Sequence, residues 1–179
     1  DFLRESEILK GIAHTNVVHV FEAFHANNTA YMVMEYIQGE TLADHLNAAG
    51  RNGYLLSWDE IKEIALGMLD GLAQVHAKKR MHRDLKPSNI MLRQPNNVPV
   101  LIDFGSAREF DAARSQPYTQ LLTAGYSAPE VQFGPGAYAS DIYSAAVVIH
   151  ECLTLSPRRN DEDLVDLYPQ LNLDDLTSR

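Results

Sequence analysis

The run Met81-His82-Arg83-Asp84-Leu85-Lys86-Pro87-Ser88-Asn89 constrains this chain more than any other stretch. It sets a carboxylate, a lysine and a carboxamide at close offsets in one loop, an arrangement few sequences share. The spacing suits phosphoryl transfer. Asp84 can accept a proton from a hydroxyl nucleophile, Lys86 can neutralise the moving phosphoryl group, and Asn89 can hold a metal through its carbonyl oxygen. Asp103-Phe104-Gly105 follows, with a further metal-binding group, a carboxylate, on a tight turn, and Ala128-Pro129-Glu130 closes the segment.

Periodicity predicts the elements that carry this loop. Ser57 followed by Glu60 is a capping-box pattern. Behind it Ile61, Ile64, Ala65, Met68, Leu69, Leu72 and Val75 fall at helical spacing, the buried stripe of a long helix. Beyond the loop, Ile90-Met91-Leu92 and Val98 to Ile102 read as short strands that bracket it and Asp103. Nearer the start, Phe2 to Gly11 reads as a helix. Val17 to Phe24 and Tyr31 to Tyr36 predict a hairpin turned by His25-Ala26-Asn27-Asn28-Thr29. Gly39 is expected to break the second strand, after which Thr41 and Asp44 start a short helix running to about Ala49. Gly50-Arg51-Asn52-Gly53 and Glu109 to Thr119 read as loops, the latter mobile, and Tyr138 to Leu155 as a buried helix. The acidic tail from Ser156 to Arg179 suggests only a short helix near Asp161 to Leu167.

Composition narrows the function classes. A chain of 179 residues, 45% hydrophobic and 22% charged, is globular and long enough for a real core. Its formal charge of -9 argues against a nucleic-acid partner. No run of about 18 apolar residues is present, so no membrane segment is expected within it. Cys152 stands alone in an apolar run, which excludes an internal disulfide and suggests a packed thiol in a reducing, cytoplasmic setting. The chain opens at Asp1 inside an amphipathic pattern, so a missing leader says little, and a longer parent is expected.

Taken in order, these motifs resemble the eukaryotic-like Ser/Thr protein kinase family in its bacterial form, over about residues 2–155. The resemblance implies an α+β, protein-kinase-like fold. Residues 1–37 would form a partial small lobe (helix plus hairpin) and hinge, and residues 38–179 a mainly α-helical large lobe, incomplete at its C-terminus. It implies Mg2+-dependent transfer of the ATP γ-phosphoryl group to Ser or Thr hydroxyls of a protein substrate. Asp84 is then the catalytic base or orienter, Lys86 stabilises charge, and Asn89 and Asp103 are the magnesium ligands. Lys86 also points to Ser/Thr rather than Tyr acceptors. Thr123, in Thr123-Ala124-Gly125-Tyr126, supports this as the threonine that bonds the catalytic aspartate and lysine, although Leu122 replaces a glycine common before it.

The same resemblance extends to the nucleotide. Glu5 matches the helix glutamate that pairs with the ATP-anchoring lysine, with Glu7 competing for that place. Tyr31-Met32-Val33-Met34-Glu35-Tyr36-Ile37 resembles the hinge: Met34 as gatekeeper, the backbone of Glu35 and Ile37 bonding adenine, and Met91 packing on its face. His82 and Phe104, with Leu9 and Val20, match the stacked hydrophobic spine, and Asp141 the buried helix aspartate that braces the loop, against a plain helix N-cap. Arg83 suits a switch worked by phosphorylation at Ser115, Tyr118 or Thr119, or else pairs with a nearby carboxylate.

The family's glycine-rich loop and strand lysine would lie before Asp1, and the last helices of the lower lobe, with the arginine partner of Glu130, have no counterpart. By itself the stretch is expected to transfer phosphate poorly. A pseudokinase, or a truncated kinase acting as a binding module, is the alternative; intact Asp84, Asn89 and Asp103 oppose it. A small-molecule kinase of related fold is opposed by Lys86-Pro87 and Ala128-Pro129-Glu130.

Overall fold

A computed structural model describes residues 10–104, 108–109, 125–132 and 137–156, with backbone alone at 108, 109, 130 and 132. The helix expected over Phe2–Gly11 lies outside these residues except for its end at Lys10.

Strands β1 (Val20–Ala26) and β2 (Thr29–Met34) form an antiparallel hairpin with Phe24 opposite Tyr31. Asn27 and Asn28 turn it with φ of 52° and 56°, the left-handed pair that a two-residue hairpin turn requires. The first strand starts later than the expected Val17. Val17 forms a parallel bridge with Leu101 instead; Val18 N donates to Leu101 O and Leu101 N to Asn16 O, both at 2.9 Å. Val17 and Val18 are fully buried there, so the apolar run serves the larger core before the chain leaves it as a hairpin.

That core is built on β3 (Gly39–Thr41), β5 (Ile90–Arg93) and β6 (Val98–Leu101), antiparallel in the order β3-β5-β6. Gly39 does not break a strand; it begins β3, opposite Arg93. A Cβ at Gly39 would lie 1.9 Å from the Leu92 carbonyl oxygen, so close approach of the strands is the reason for glycine here. Helix α1 (Leu42–Asn52) is capped by Thr41 Oγ1, which accepts from Asp44 N at 3.1 Å, and ends on Gly53 at φ 71°. It therefore takes in most of the expected Gly50–Gly53 loop.

Helix α2 (Trp58–Ala77) starts at Ser57, whose Oγ accepts from Glu60 N at 3.2 Å. Ile61, Ile64, Met68, Leu72 and Val75 are buried, while Ala65 and Leu69 are half-buried. Full burial of side chains of this size contributes roughly 1.5–3 kcal/mol each, which makes this stripe a main stabiliser of the domain. The helix packs against β6 and against α3 (Tyr138–Thr154), which buries Ala145, Val148 and Cys152 in the same core. Between them β4 (Arg80–Met81) pairs with β7 (Arg108–Glu109), a strand where Glu109 was expected to open a loop. The architecture is α+β.

Candidate active site

The loop of Asp84 is held from below. Asp141, 1% exposed near the start of α3, accepts at Oδ2 from His82 N (2.9 Å) and His76 Nε2 (2.7 Å), and at Oδ1 from Arg83 N (2.8 Å). Burial alone would raise its pKa, but these donors outweigh it, and the carboxyl sits below its ordinary value. It is not the N-cap of its own helix: Ala137 precedes α3, and Ala137 N donates to Ser140 Oγ at 3.1 Å. With its backbone gripped this way, Arg83 adopts φ 68°, a left-handed conformation rare for a long side chain.

His82 is fully buried and donates from Nε2 to the Ile102 carbonyl at 3.2 Å. Burial lowers its pKa, so the ring is neutral at pH 7, and it lies 4.6 Å from the Phe104 ring. Val20 is buried as well; Leu9 lies outside the described residues.

Asp84, Lys86 and Asn89 meet above this floor. Lys86 Nζ donates to Asp84 Oδ2 at 2.8 Å, and Asn89 Nδ2 donates to Asp84 O at 2.8 Å and to Asp84 Oδ2 at 3.0 Å. The carboxylate is thus oriented by two donors, one of them charged. Because Asp84 takes the Asn89 nitrogen, the carboxamide oxygen is the atom Asn89 can offer a cation. Ile102 N donates to Asn89 O at 3.0 Å, which brings the strand leading to Asp103 alongside. Asp103 turns there at φ 57°. Asn89 and Asp103 supply hard oxygen donors, the small set on which Mg2+ binds when phosphate oxygens complete its shell, so the residues fit that ion. Among the described residues no cluster of three His, Cys, Asp or Glu makes an all-protein metal site.

The expected hinge leaves β2 at Met34, which is 44% exposed. Glu35 N donates to His19 O at 2.9 Å, and the Ile37 side chain is buried. Among the described residues no hydrogen bond takes the Glu35 carbonyl or the Ile37 N–H, the groups a base edge needs. Met91 is half-buried against the core. Two contacts were not legible in the sequence: Glu35 Oε1 accepts from His19 N at 2.9 Å, and Oε2 accepts from Arg93 Nη2 at 2.8 Å.

Glu5, Thr123, Ser115, Tyr118 and Thr119 lie outside the described residues. The chain just after Thr123 is fixed to α3: the Tyr126 hydroxyl donates to Glu151, and Ser144 Oγ donates to Tyr126 O at 2.8 Å. Burial, reinforced by the Glu151 hydrogen bond, pushes the Tyr126 hydroxyl pKa up, and burial raises that of Glu151. Sequence reading missed Ser144 and Glu151. Their signal was two polar residues two turns apart on one face of a helix that is apolar from Ala145 to Ile149.

The chain matches the protein kinase domain family over residues 1–169. It is 34% identical over 161 residues to the serine/threonine-protein kinase PknA of Nostoc sp., covering 86% of this chain and 28% of that protein. It is 34% identical over 169 residues to the probable serine/threonine-protein kinase PknB of Bifidobacterium longum, covering 87% of this chain and 24% of that one. Calcium-dependent protein kinase 4 of Plasmodium falciparum is 31% identical over 172 residues, 94% of this chain and 32% of that protein. The chain spans about a quarter to a third of the length of these relatives. It belongs to the protein kinase family, with bacterial serine/threonine kinases among its relatives.

Proposed function

We propose that the protein carrying this chain transfers the γ-phosphoryl group of ATP to Ser or Thr hydroxyls of protein substrates, with Mg2+. The observation that supports this best is Asp84 Oδ2, held at 2.8 Å by Lys86 and 3.0 Å by Asn89 on a loop anchored to Asp141. Asp84 orients the acceptor hydroxyl and takes up its proton. Lys86 keeps a positive charge beside that carboxylate, where it counters the negative charge of the group in transfer. Asn89 and Asp103 hold the metal, which when bound neutralises the phosphate oxygens. Met34, Met91 and the backbone of Glu35 and Ile37 take the adenine ring. Glu5 is the partner for a phosphate-anchoring lysine, and Thr123 bonds Asp84 and Lys86.

The names of the bacterial relatives and the presence of Lys86 support Ser/Thr acceptors. Residues 1–37 belong to the small lobe and hinge, and 38–179 to the large lobe. A cytoplasmic setting accords with Cys152, the single cysteine of the sequence and a buried thiol. No helix among the described residues is long and apolar enough to cross a membrane.

The test is Asp103→Asn in the intact protein, assayed for phosphate transfer from ATP to Ser/Thr peptides with magnesium. Transfer should fall at least about a hundredfold while circular dichroism is unchanged. Undiminished transfer would remove Asp103 from the metal site. A wild-type protein that binds ADP but transfers nothing would instead be a binding module.

A further inference from the structure

We infer that Arg93 is a positioning residue for the hinge: acting through Glu35, it sets the direction in which the hinge backbone faces the adenine ring. The inference rests on the phosphoryl-transfer reading above and names a residue outside the groups assigned there.

Glu35 is bonded on every side except the one a base would use. Its N–H and its Oε1 both engage the backbone of His19, as donor to His19 O and acceptor from His19 N, each at 2.9 Å. Oε2 accepts from the Arg93 guanidinium at 2.8 Å, a charge-assisted bond between groups 26% and 31% exposed. The other end of the hinge is tied by the next residue of the same strand end, because Gln94 N donates to Gln38 O at 2.8 Å. Consecutive residues thus hold residues 35 and 38, which restrains the backbone between them at both ends.

The placement of Arg93 on β5 gives this clamp its register. Side chains two apart on a strand share a face, so Arg93 stands on the face of Met91; both are half-buried, while Ile90 and Leu92 point into the core. Asn89, at the head of the same strand, carries the proposed metal ligand. One short strand therefore fixes the relative positions of metal ligand, base-packing side chain and hinge. Without the guanidinium, the direction of the Glu35 carbonyl is held by the two His19 bonds alone. Adenine recognition depends on that direction, whereas the Asp84 loop, held by Asp141, does not.

The experiment compares Arg93→Met, Arg93→Lys, Glu35→Gln and the Arg93→Met/Glu35→Gln double variant in the intact protein. Readouts are KM for ATP, the Kd of ADP, KM for the peptide substrate, kcat and the urea midpoint. Arg93→Met should raise KM for ATP and the Kd of ADP about threefold to fivefold, the range of a partly exposed ion pair. kcat should stay within about twofold, and KM for the peptide should not change. Arg93→Lys should recover part of the loss. The double variant should lose less than the product of the single effects, because both act on one ion pair. Unchanged nucleotide constants in Arg93→Met overturn the inference. So does a fall in kcat and in both substrates' affinities together with a lower urea midpoint, which marks a merely structural role. A wild-type protein that neither binds ADP nor transfers phosphate overturns the phosphoryl-transfer reading itself, an outcome told apart by the wild-type measurements alone.

Discussion

The two main β regions of this chain use the same kinds of residue and reach different ends. In the β3-β5-β6 sheet, Leu92, Val100 and Leu101 are fully buried, because α2 lies across β6. In the β1–β2 hairpin, Phe21, Phe24, Tyr31 and Val33 are 58%, 39%, 42% and 43% exposed. Aromatic and β-branched residues favour an extended chain in both places, but only a second layer turns that preference into burial. Among the described residues no further strand pairs with this hairpin, and a two-stranded hairpin is marginal in water. The division falls along the proposed function: Asp84, Asn89 and Asp103 are set by the packed side, and the hinge sits at the boundary, tied back to the packed side through Arg93.

The sharpest way to break this comparison is to remove one large side chain from each region. Met68, fully buried in α2, should cost about 2–5 kcal/mol on replacement by Ala, since the cavity adds to the lost burial. Phe24→Ala should cost about 1 kcal/mol, mostly the stacking of its ring on Tyr31 at a centroid distance of 5.5 Å. Urea unfolding of the two variants measures both. Equal costs would mean that the hairpin face is as well covered as the core.

A second prediction concerns the anchor between the regions and the reacting loop. Asp141→Asn keeps the size of the side chain but turns one acceptor into a donor facing the His82 or Arg83 N–H. It should cost about 1–3 kcal/mol at neutral pH. The Asp141 carboxyl has a lowered pKa in the folded chain: burial opposes the shift, and the bonds from His76, His82 and Arg83 prevail. Its stabilising contribution is therefore full above its unfolded value of 3.8 and is lost as pH falls through the lower folded value. Wild type and variant should converge in stability below that pH. A gap that persists there would assign the cost to packing rather than to charge.

Much of this architecture was legible because local rules and global fold agree. The α2 stripe from Ile61 to Val75 and the Ser57 cap needed only periodicity and one hydroxyl. The Asp84–Asn89 cluster was legible because its residues lie in one loop, so sequence spacing approximates distance. Legibility failed where distance in sequence and in space part company. Arg93 meets Glu35 across 58 positions, and neither residue is unusual in its own segment. Val17 and Val18 carry the same strand preference as Val20, and only the partner Leu101 decides that they join the core. Gly39 looks like a breaker until Leu92 is placed against it. Asp141 could be assigned to the loop only by family resemblance, since its partners lie 58 to 65 positions away.

The smallest expected effect lies at the joint of β3, α1 and α2, and it tests whether the packed side carries its own pH response. His45 on α1 places Nδ1 at 2.8 Å from Glu40 Oε1 and Nε2 at 2.8 Å from Glu60 Oε1. A ring that donates from both nitrogens is an imidazolium. Burial lowers the His45 pKa, yet the bonds and charges of Glu40 and Glu60 outweigh it, so the folded value stands above 6.5. A raised folded value means that the stabilisation is fully present below the unfolded pKa and disappears as pH rises through the folded one. His45→Gln should therefore cost more near about pH 6 than near about pH 9, by less than about 1 kcal/mol because the glutamates are partly in water. Urea midpoints of wild type and variant at the two pH values measure that difference. A gap that does not change with pH would leave His45 as a neutral hydrogen-bonding spacer. A gap that widens at high pH would reverse the sign argued here and place the neutral ring in the folded state.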